Sequence, residues 1–393
     1  MKRGALRRLA AACLLCSCAG AFAAPFTPKS DDEVVERLPL AADPSARRVE
    51  AMRRQLASRP QDRALRVEIA RRHFELAMAQ GDPRFVGYAF ADLAPMAKDA
   101  GADAGYWLVL GQLQQYSHDF ATALESLARA ATLAPQDPQP VAWRAAILMV
   151  QARYAEADAE CERLAALAEP LFATGCAAYV QAATGALRPA YEKLSAAAAA
   201  TPRAAPELQL WVQTRLAEMA LRLGGDAAAE KHFRAALAQG ITDQFLLGAY
   251  ADFLIDRKRP AEALKLLAGW ERSDVLLLRL ALAGKAASDA KAADWASQLK
   301  ERFAEAAQRG DRLHEQEAAR FALDVQGQPD EALRLATSNW QQQKEPRDAQ
   351  VLMRTALAAR QPAAAKPALD WLAASRYEDP QLQDLAKQLG GGK

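Results

Sequence analysis

Three groups of residues in this chain carry side chains that could do chemistry. Cys13, Cys16 and Cys18 stand in a C-x-x-C-x-C arrangement of the kind thiolate metal sites use. They lie inside an apolar run near residue 1, however, where cysteine serves as apolar filler of a targeting segment. His314-Glu315-Gln316-Glu317-Ala318 opens like the helical His-Glu-x-x-His zinc motif. That motif needs a second imidazole one turn on to hold the metal, and Ala318 stands there instead. Glu218, Asp252 and Asp256 are carboxylates that would serve as a general acid and base for hydrolysis of a glycan or peptide if their helices converge on one cleft. No nucleophile elbow, Walker loop, dinucleotide fingerprint or paired-cysteine zinc pattern follows residue 23. His73, His118 and His232 are scattered singly, as structural or solvated histidines are. The reading is therefore no catalytic residue, no cofactor and no metal, with a hydrolase on a toroid of helices as the alternative.

The segment holding the first three cysteines has the layout of a leader. Lys2, Arg3, Arg7 and Arg8 form a basic head, and residues 9–20 form an apolar stretch too short to span a bilayer. Ala21-Phe22-Ala23 places small residues where a signal peptidase inspects them, so cleavage after Ala23 is expected, with export to the periplasm or outside the cell. Leu15-Cys16-Ser17-Cys18 resembles a lipobox, in which Cys18 would be lipidated and become the new N-terminus, although Cys16 departs from the small or aliphatic residue usual there. Loss of residues 1–23 with their four basic side chains takes Lys plus Arg from 50 to 46 against 48 Asp plus Glu, a net charge of −2. Such a chain has no overall electrostatic case for nucleic acid.

Cys161 and Cys176 remain. They sit in two successive helical stretches that turn at Glu169-Pro170, eight and seven residues from Glu169. In an antiparallel helix pair, residues equally far from the turn lie side by side. A disulfide between repeats is one reading; two packed thiols are the other.

The elements that position these residues are helices. Apolar residues make up 51% of 393 and charged ones 25%, alanine leads, and β-branched runs are nearly missing, so an all-α chain is expected. Residues 104–137 hold Trp107, Leu110, Gly111, a turn at Ser117-His118-Asp119, then Phe120, Ala123, Leu127, Ala130 and Pro135. This resembles the tetratricopeptide pattern W-x2-L-G-x2-Y…A-x3-F…P, with Gln114 at the Tyr position and Leu127 at the Phe position. The resemblance implies a right-handed α-solenoid of antiparallel helix pairs. Weaker copies place the array at 61–374 in about eight pairs, irregular at 271–310, where the first helix at 275–283 reads as short and the turn at 284–288 as long. Residues 24–60 read as an N-terminal lid, and 375–393 as a capping helix with a glycine tail.

The resemblance also implies a binding face. It puts the outward side of each first helix on a concave groove for a protein or peptide segment, which selects Leu108, Gln112 and Tyr116, then Met149, then Phe172 and Tyr179, then Trp211, Glu218 and Arg222, then Phe245 and Asp252. Tetratricopeptide members that take chaperone C-termini use a basic, Asn-rich clamp that Leu108 and Gln112 do not reproduce. Contact with a membrane is expected only through Cys18 or through the arginines Arg47, Arg48, Arg53, Arg54, Arg59, Arg63, Arg66, Arg71 and Arg72, which Glu50, Asp62 and Glu68 oppose.

Overall fold

The computed structural model describes residue 30 and residues 44–390. The leader with Cys18, most of the 24–60 lid and the last three residues of the glycine tail lie outside the described residues. The chain divides into two units, Met1–Arg47 and Arg48–Lys393, and the architecture below is that of the second. Twenty α-helices and no strand occur among the described residues.

α1 (Pro44–Ser58) is followed by nine antiparallel pairs: α2 (Arg63–Gln80) with α3 (Arg84–Leu93), α4 (Ala104–Tyr116) with α5 (Phe120–Leu133), α6 (Pro138–Val150) with α7 (Tyr154–Leu167), and α8 (Pro170–Ala183) with α9 (Leu187–Ala200). Then come α10 (Pro206–Arg222) with α11 (Asp226–Leu237), α12 (Gln244–Asp256) with α13 (Pro260–Leu266), α14 (Asp274–Ala287) with α15 (Ala292–Gln308), α16 (Glu315–Asp324) with α17 (Pro329–Trp340), and α18 (Pro346–Ala358) with α19 (Lys366–Ser375). α20 (Pro380–Gly390) closes the array.

Local chemistry starts and stops these helices. Asp62, Asp103, Asp137 and Asp243 accept backbone N–H groups that the first turns of α2, α4, α6 and α12 leave free. Proline opens six of the helices after α1 outside the tail, where its missing N–H costs nothing and its fixed φ suits the first turn. The turn inside each pair is built on one left-handed residue: Gly81, His118, Ala152, Gly185, Gly224, Lys258, Ser288, Gly327 and Arg360. After seven of these the next residue donates its N–H five positions back, as Asp119 does to Gln114 and Arg153 to Leu148, the return bond of a Schellman stop.

The best sequence copy shows why its residues are spaced as they are. A Cβ on Gly111 would lie 2.7 Å from Cγ of Leu127, so only hydrogen lets α4 lie this close to α5. Ala123, Leu127 and Ala130 are fully buried, and a leucine removed from water to this extent contributes about 2 kcal/mol. Trp107 stacks on the Arg129 guanidinium at 4.1 Å. α5 ends at Leu133, just before Pro135. The 271–310 pair is not short: α14 has 14 residues and α15 has 17. Its helix runs on through Gly284, whose bare Cα admits the Trp295 ring, and the turn comes at Ser288. The short helix is α13, with seven residues.

Cohesion is not limited to neighbouring pairs. Leu148 and Met149 of α6 share one buried cluster with Trp340, Leu352, Trp371 and Leu382. The N–H of Lys344 donates to the carbonyl of Val150 at 2.8 Å, and the indole of Trp371 donates to the hydroxyl of Tyr154 at 3.0 Å. Gln343 Nε2 lies 3.2 Å from His118 Nε2, and the Glu378 carboxylate accepts the Leu187 N–H at 2.6 Å. Each contact joins the turn of one pair to the chain five or six pairs further on, so within this unit the superhelix completes a turn and seals against itself.

Candidate functional site

This closure decides which part of the inner face stays open. A cavity of about 890 Å³ is lined by the first helices of six successive pairs, α8, α10, α12, α14, α16 and α18, with Tyr377 and residues 379–382 as one wall. Tyr179, Glu218, Arg222, Phe245 and Asp252 all face it. Leu108, Gln112 and Met149, expected on the open face, are instead buried: Leu108 packs with Phe120, Leu127 and Ile147 of its own and the next pair, and Met149 packs under the C-terminal pairs with Trp340 and Leu352. Tyr116 lies half-buried in the same seam near Asp82, Asp274 and Asp311, and desolvation pushes its hydroxyl up to about 12. Phe172 and Trp211 pack edge to face at 5.4 Å, the Trp211 ring filling the space that a Cβ on Gly175 would take.

Charge and aromatic surface alternate around the cavity. The Arg215 guanidinium lies between the rings of Tyr179 and Phe245, at 4.7 and 4.6 Å, and Arg347 stacks on Phe245 at 4.5 Å. Each such stack contributes about 0.5–2 kcal/mol once water is excluded. Glu218 bridges the two arginines, accepting from Arg215 at 2.8 Å and from Arg347 at 3.3 Å. Further along, Asp252 accepts from Arg279 and Arg320 at 2.8 and 2.9 Å. Arg279 is 1% exposed, and its desolvation together with the nearby Arg320 lowers its pKa. Burial would raise Asp252, but Arg279 and Arg320 outweigh it and hold the carboxyl well below the usual carboxylate range.

The carboxylates named for hydrolysis therefore do converge, and their bonding argues against that chemistry. Asp252 has both oxygens occupied by guanidinium groups, and Glu218 is shared between two more. A nucleophile or general base needs an uncommitted lone pair aimed at the substrate. Asp256 is the exception: it forms no hydrogen bond or ion pair, and burial together with Asp252 raises its pKa. One such carboxyl does not supply the acid and base pair that hydrolysis requires. Among the described residues no group of His, Cys, Asp and Glu is arranged to hold a metal ion. His314 precedes α16 and lies 3.9 Å from Glu317.

Cys161 and Cys176 are disulfide-bonded in the structure, with Cα atoms 5.5 Å apart, which ties α7 to α8. The arginine cluster is more fully opposed than the sequence suggested. Arg71 and Arg72 each bond both Glu68 and Glu75, Arg63 pairs with Asp99, Arg59 with Asp62, and Arg53 and Arg54 with Glu50. Helical i,i+3 and i,i+4 spacing makes most of these pairs, and exposed pairs of this kind contribute little to stability.

Sequence reasoning missed Arg215, Arg320, Arg347, Arg354, Glu345 and Tyr377, all of which line the cavity. Arg215 stands four residues after Trp211, and Arg347, Gln350 and Arg354 follow the same helical face in α18, so the rule applied to earlier pairs would have found them. Tyr377 lies in a linker, where no periodicity marks it.

No family model matches this chain, and no curated protein does. Among solved structures, the Cut9–Hcn1 hetero-tetramer of the APC/C superposes with a TM-score of 0.50 at 11% identity, covering 84% of this chain and 63% of that one. The chain has a tetratricopeptide-like fold. The yeast Tom70 structure covers 90% of this chain and 86% of that one at 12% identity, with a TM-score of 0.41. The Naa15/Naa10 complex bound to HypK-THB covers 89% and 57% at 16% identity, with a TM-score of 0.30. This chain spans just under two thirds of the Cut9–Hcn1 chain it superposes on. The likeness establishes the right-handed stack of helix pairs and nothing about what the cavity holds.

Proposed function

We propose that this protein is an exported, non-catalytic scaffold that holds an extended segment of another protein in its interior cavity. The observation that carries the reading is the convergence of six first helices on one chamber whose aromatic rings and charges are fixed in place by stacking and ion pairing. Rigid stacked arginines and rings recognise a chain by its side chains with little ordering cost, which suits binding better than turnover. The volume falls within the range of about 300–1,000 Å³ typical of ligand cavities, enough for a few residues of extended chain. Export rests on the leader: a basic head, a short apolar stretch and Ala21-Phe22-Ala23. The intact mass of the mature protein separates cleavage after Ala23 from lipidation at Cys18.

The test is site-specific photo-crosslinking in envelope extracts. A photoreactive residue at Gln350, inside the cavity, should trap discrete polypeptides, and one at exposed Glu125 on α5 should not. The Gln350 products should disappear when Phe245→Ala and Arg347→Ala are combined. Equal crosslinking from both positions, or products that survive the double substitution, would count against the reading.

A further inference from the structure

One wall of the cavity is unlike the others: it is extended chain, not helix. Residues 377–379 have no regular structure and run between α19 and α20 across the inner ends of α8, α9 and α10. The Tyr377 ring is 6% exposed and lies beneath the Arg222 guanidinium, 3.7 Å from its centroid. Glu378 accepts the N–H of Leu187, the first residue of the 14-residue helix α9, at 2.6 Å. That places a carboxylate where the helix dipole and a free donor both favour negative charge. Arg222 Nε donates to the carbonyl of Glu378 at 2.9 Å. Arg222 thus reads both the aromatic ring and the backbone carbonyl of the acidic residue after it, and the Leu187 N–H reads that residue's carboxylate.

We propose that this groove is a recognition site for an extended acidic-aromatic segment, and that residues 376–379 are its internal occupant. The external ligand is a partner segment carrying an aromatic residue followed directly by a carboxylate. The inference rests on the scaffold reading above and specifies the chemistry of the partner. Charge complementarity carries it past the strap itself. Arg222 is bonded only to the carbonyls of Ala182 and Glu378, and Lys285 only to those of Asp324 and Val325, so neither cation meets a carboxylate. Arg347 has one 3.3 Å contact to Glu218. Further acidic side chains on the same partner would meet these cations inside the cavity. Tyr377 joins the common core and packs on Trp371 at 5.3 Å, while Trp371 and Leu372 of α19 and Leu382 and Leu389 of α20 keep their own buried places in that core when the strap is displaced.

The test uses the full-length chain with Arg376→Gly, Tyr377→Ser, Glu378→Gly and Asp379→Ser combined, and a fluorescein-labelled hexapeptide of sequence Ser-Arg-Tyr-Glu-Asp-Pro. Anisotropy should show the peptide binding at least ten-fold more tightly to the variant than to the wild type. Replacing its Tyr by Ala or its Glu by Gln should weaken binding at least ten-fold, as should adding Arg222→Gln to the variant. A variant with unchanged helical circular dichroism and no saturable binding overturns the proposal. So does a variant that dimerises by seating one copy's tail in another, which would assign the groove to a second copy. Should the variant fail to fold, hydrogen exchange on the wild type decides: the Leu187 amide should exchange at least ten-fold faster than the Ala190 amide, and equal rates overturn the proposal. Loss of peptide binding with intact Gln350 crosslinks removes this inference alone; loss of both removes the scaffold reading with it.

Discussion

The indole N–H of Trp371 donates to the hydroxyl of Tyr154 at 3.0 Å, joining residues 217 apart in sequence. The bond crosses the seam where the superhelix closes, with Tyr154 at the start of α7 and Trp371 in α19. Tyr154→Phe leaves a buried indole donor without its partner, which costs about 1–2 kcal/mol. Urea unfolding should show this loss, and the loss should shrink when Trp371→Phe is added, because both polar partners are then gone. An unchanged midpoint for Tyr154→Phe would mean that water replaces the hydroxyl and the seam is wet.

Two glycines in helices should respond oppositely to alanine. At Gly111 the new Cβ would lie 2.7 Å from Leu127 Cγ, and overpacking of this kind costs about 1–3 kcal/mol, more than the helix propensity gained. At Gly87 of α3 nothing lies within 4 Å, so Gly87→Ala should stabilise by about 0.5–1 kcal/mol. Thermal melts of the two variants should move in opposite directions.

His118 sets an acid limit on the same seam. It stacks on Phe120 and lies beside Gln343, and desolvation together with His314 lowers its pKa to about 4, against the pull of Glu317, Asp311 and Glu315. A histidine depressed in the folded state destabilises the fold as pH falls below its unfolded value of about 6.5, because the unfolded chain takes up the proton first. The loss amounts to at most about 2 kcal/mol between pH 7 and pH 5. His118→Gln should flatten the acid limb of a stability–pH curve; an unaltered limb would exclude this residue as its source.

Asp348 acts in the opposite sense over an overlapping window. Its oxygens accept from Gln316, Asn339 and the Glu345 N–H, yet burial and the neighbouring Glu345 carboxyl push it up to about 7. A carboxyl raised in the folded state contributes stability that is complete below its unfolded pKa and is lost as pH rises through the folded one, here between about 4 and 7. Asp348→Asn should remove that decline, which reaches at most about 1.4 kcal/mol per pH unit. Melts from pH 4 to pH 8 compare the slopes directly.

Much of the array was legible because its signals are local. Gly111 and Ala123 mark a close helix approach, Pro135 marks a helix end, and Trp107 with Leu110 marks an apolar face, all within 30 residues of one another. The 284–288 stretch misled for a local reason as well: glycine in a sequence reads as a break, and only the Trp295 ring packed against Gly284 shows that the helix passes through it. Leu108 and Met149 were assigned to a groove by a rule that treats each pair alike; Leu108 instead packs within its own and the next pair, and nothing near Met149 in sequence reveals that the C-terminal helices cover it.

By itself, then, the sequence determined the helices, their pairing and the face each first helix turns inward, since capping residues, periodicity and turn residues act over distances shorter than one repeat. Only the tertiary structure decided which of those inward faces remain open. That depends on superhelical pitch, a sum of small rotations over many pairs, and on contacts such as Trp371 with Tyr154 and Glu378 with Leu187 that form only once the turn has closed.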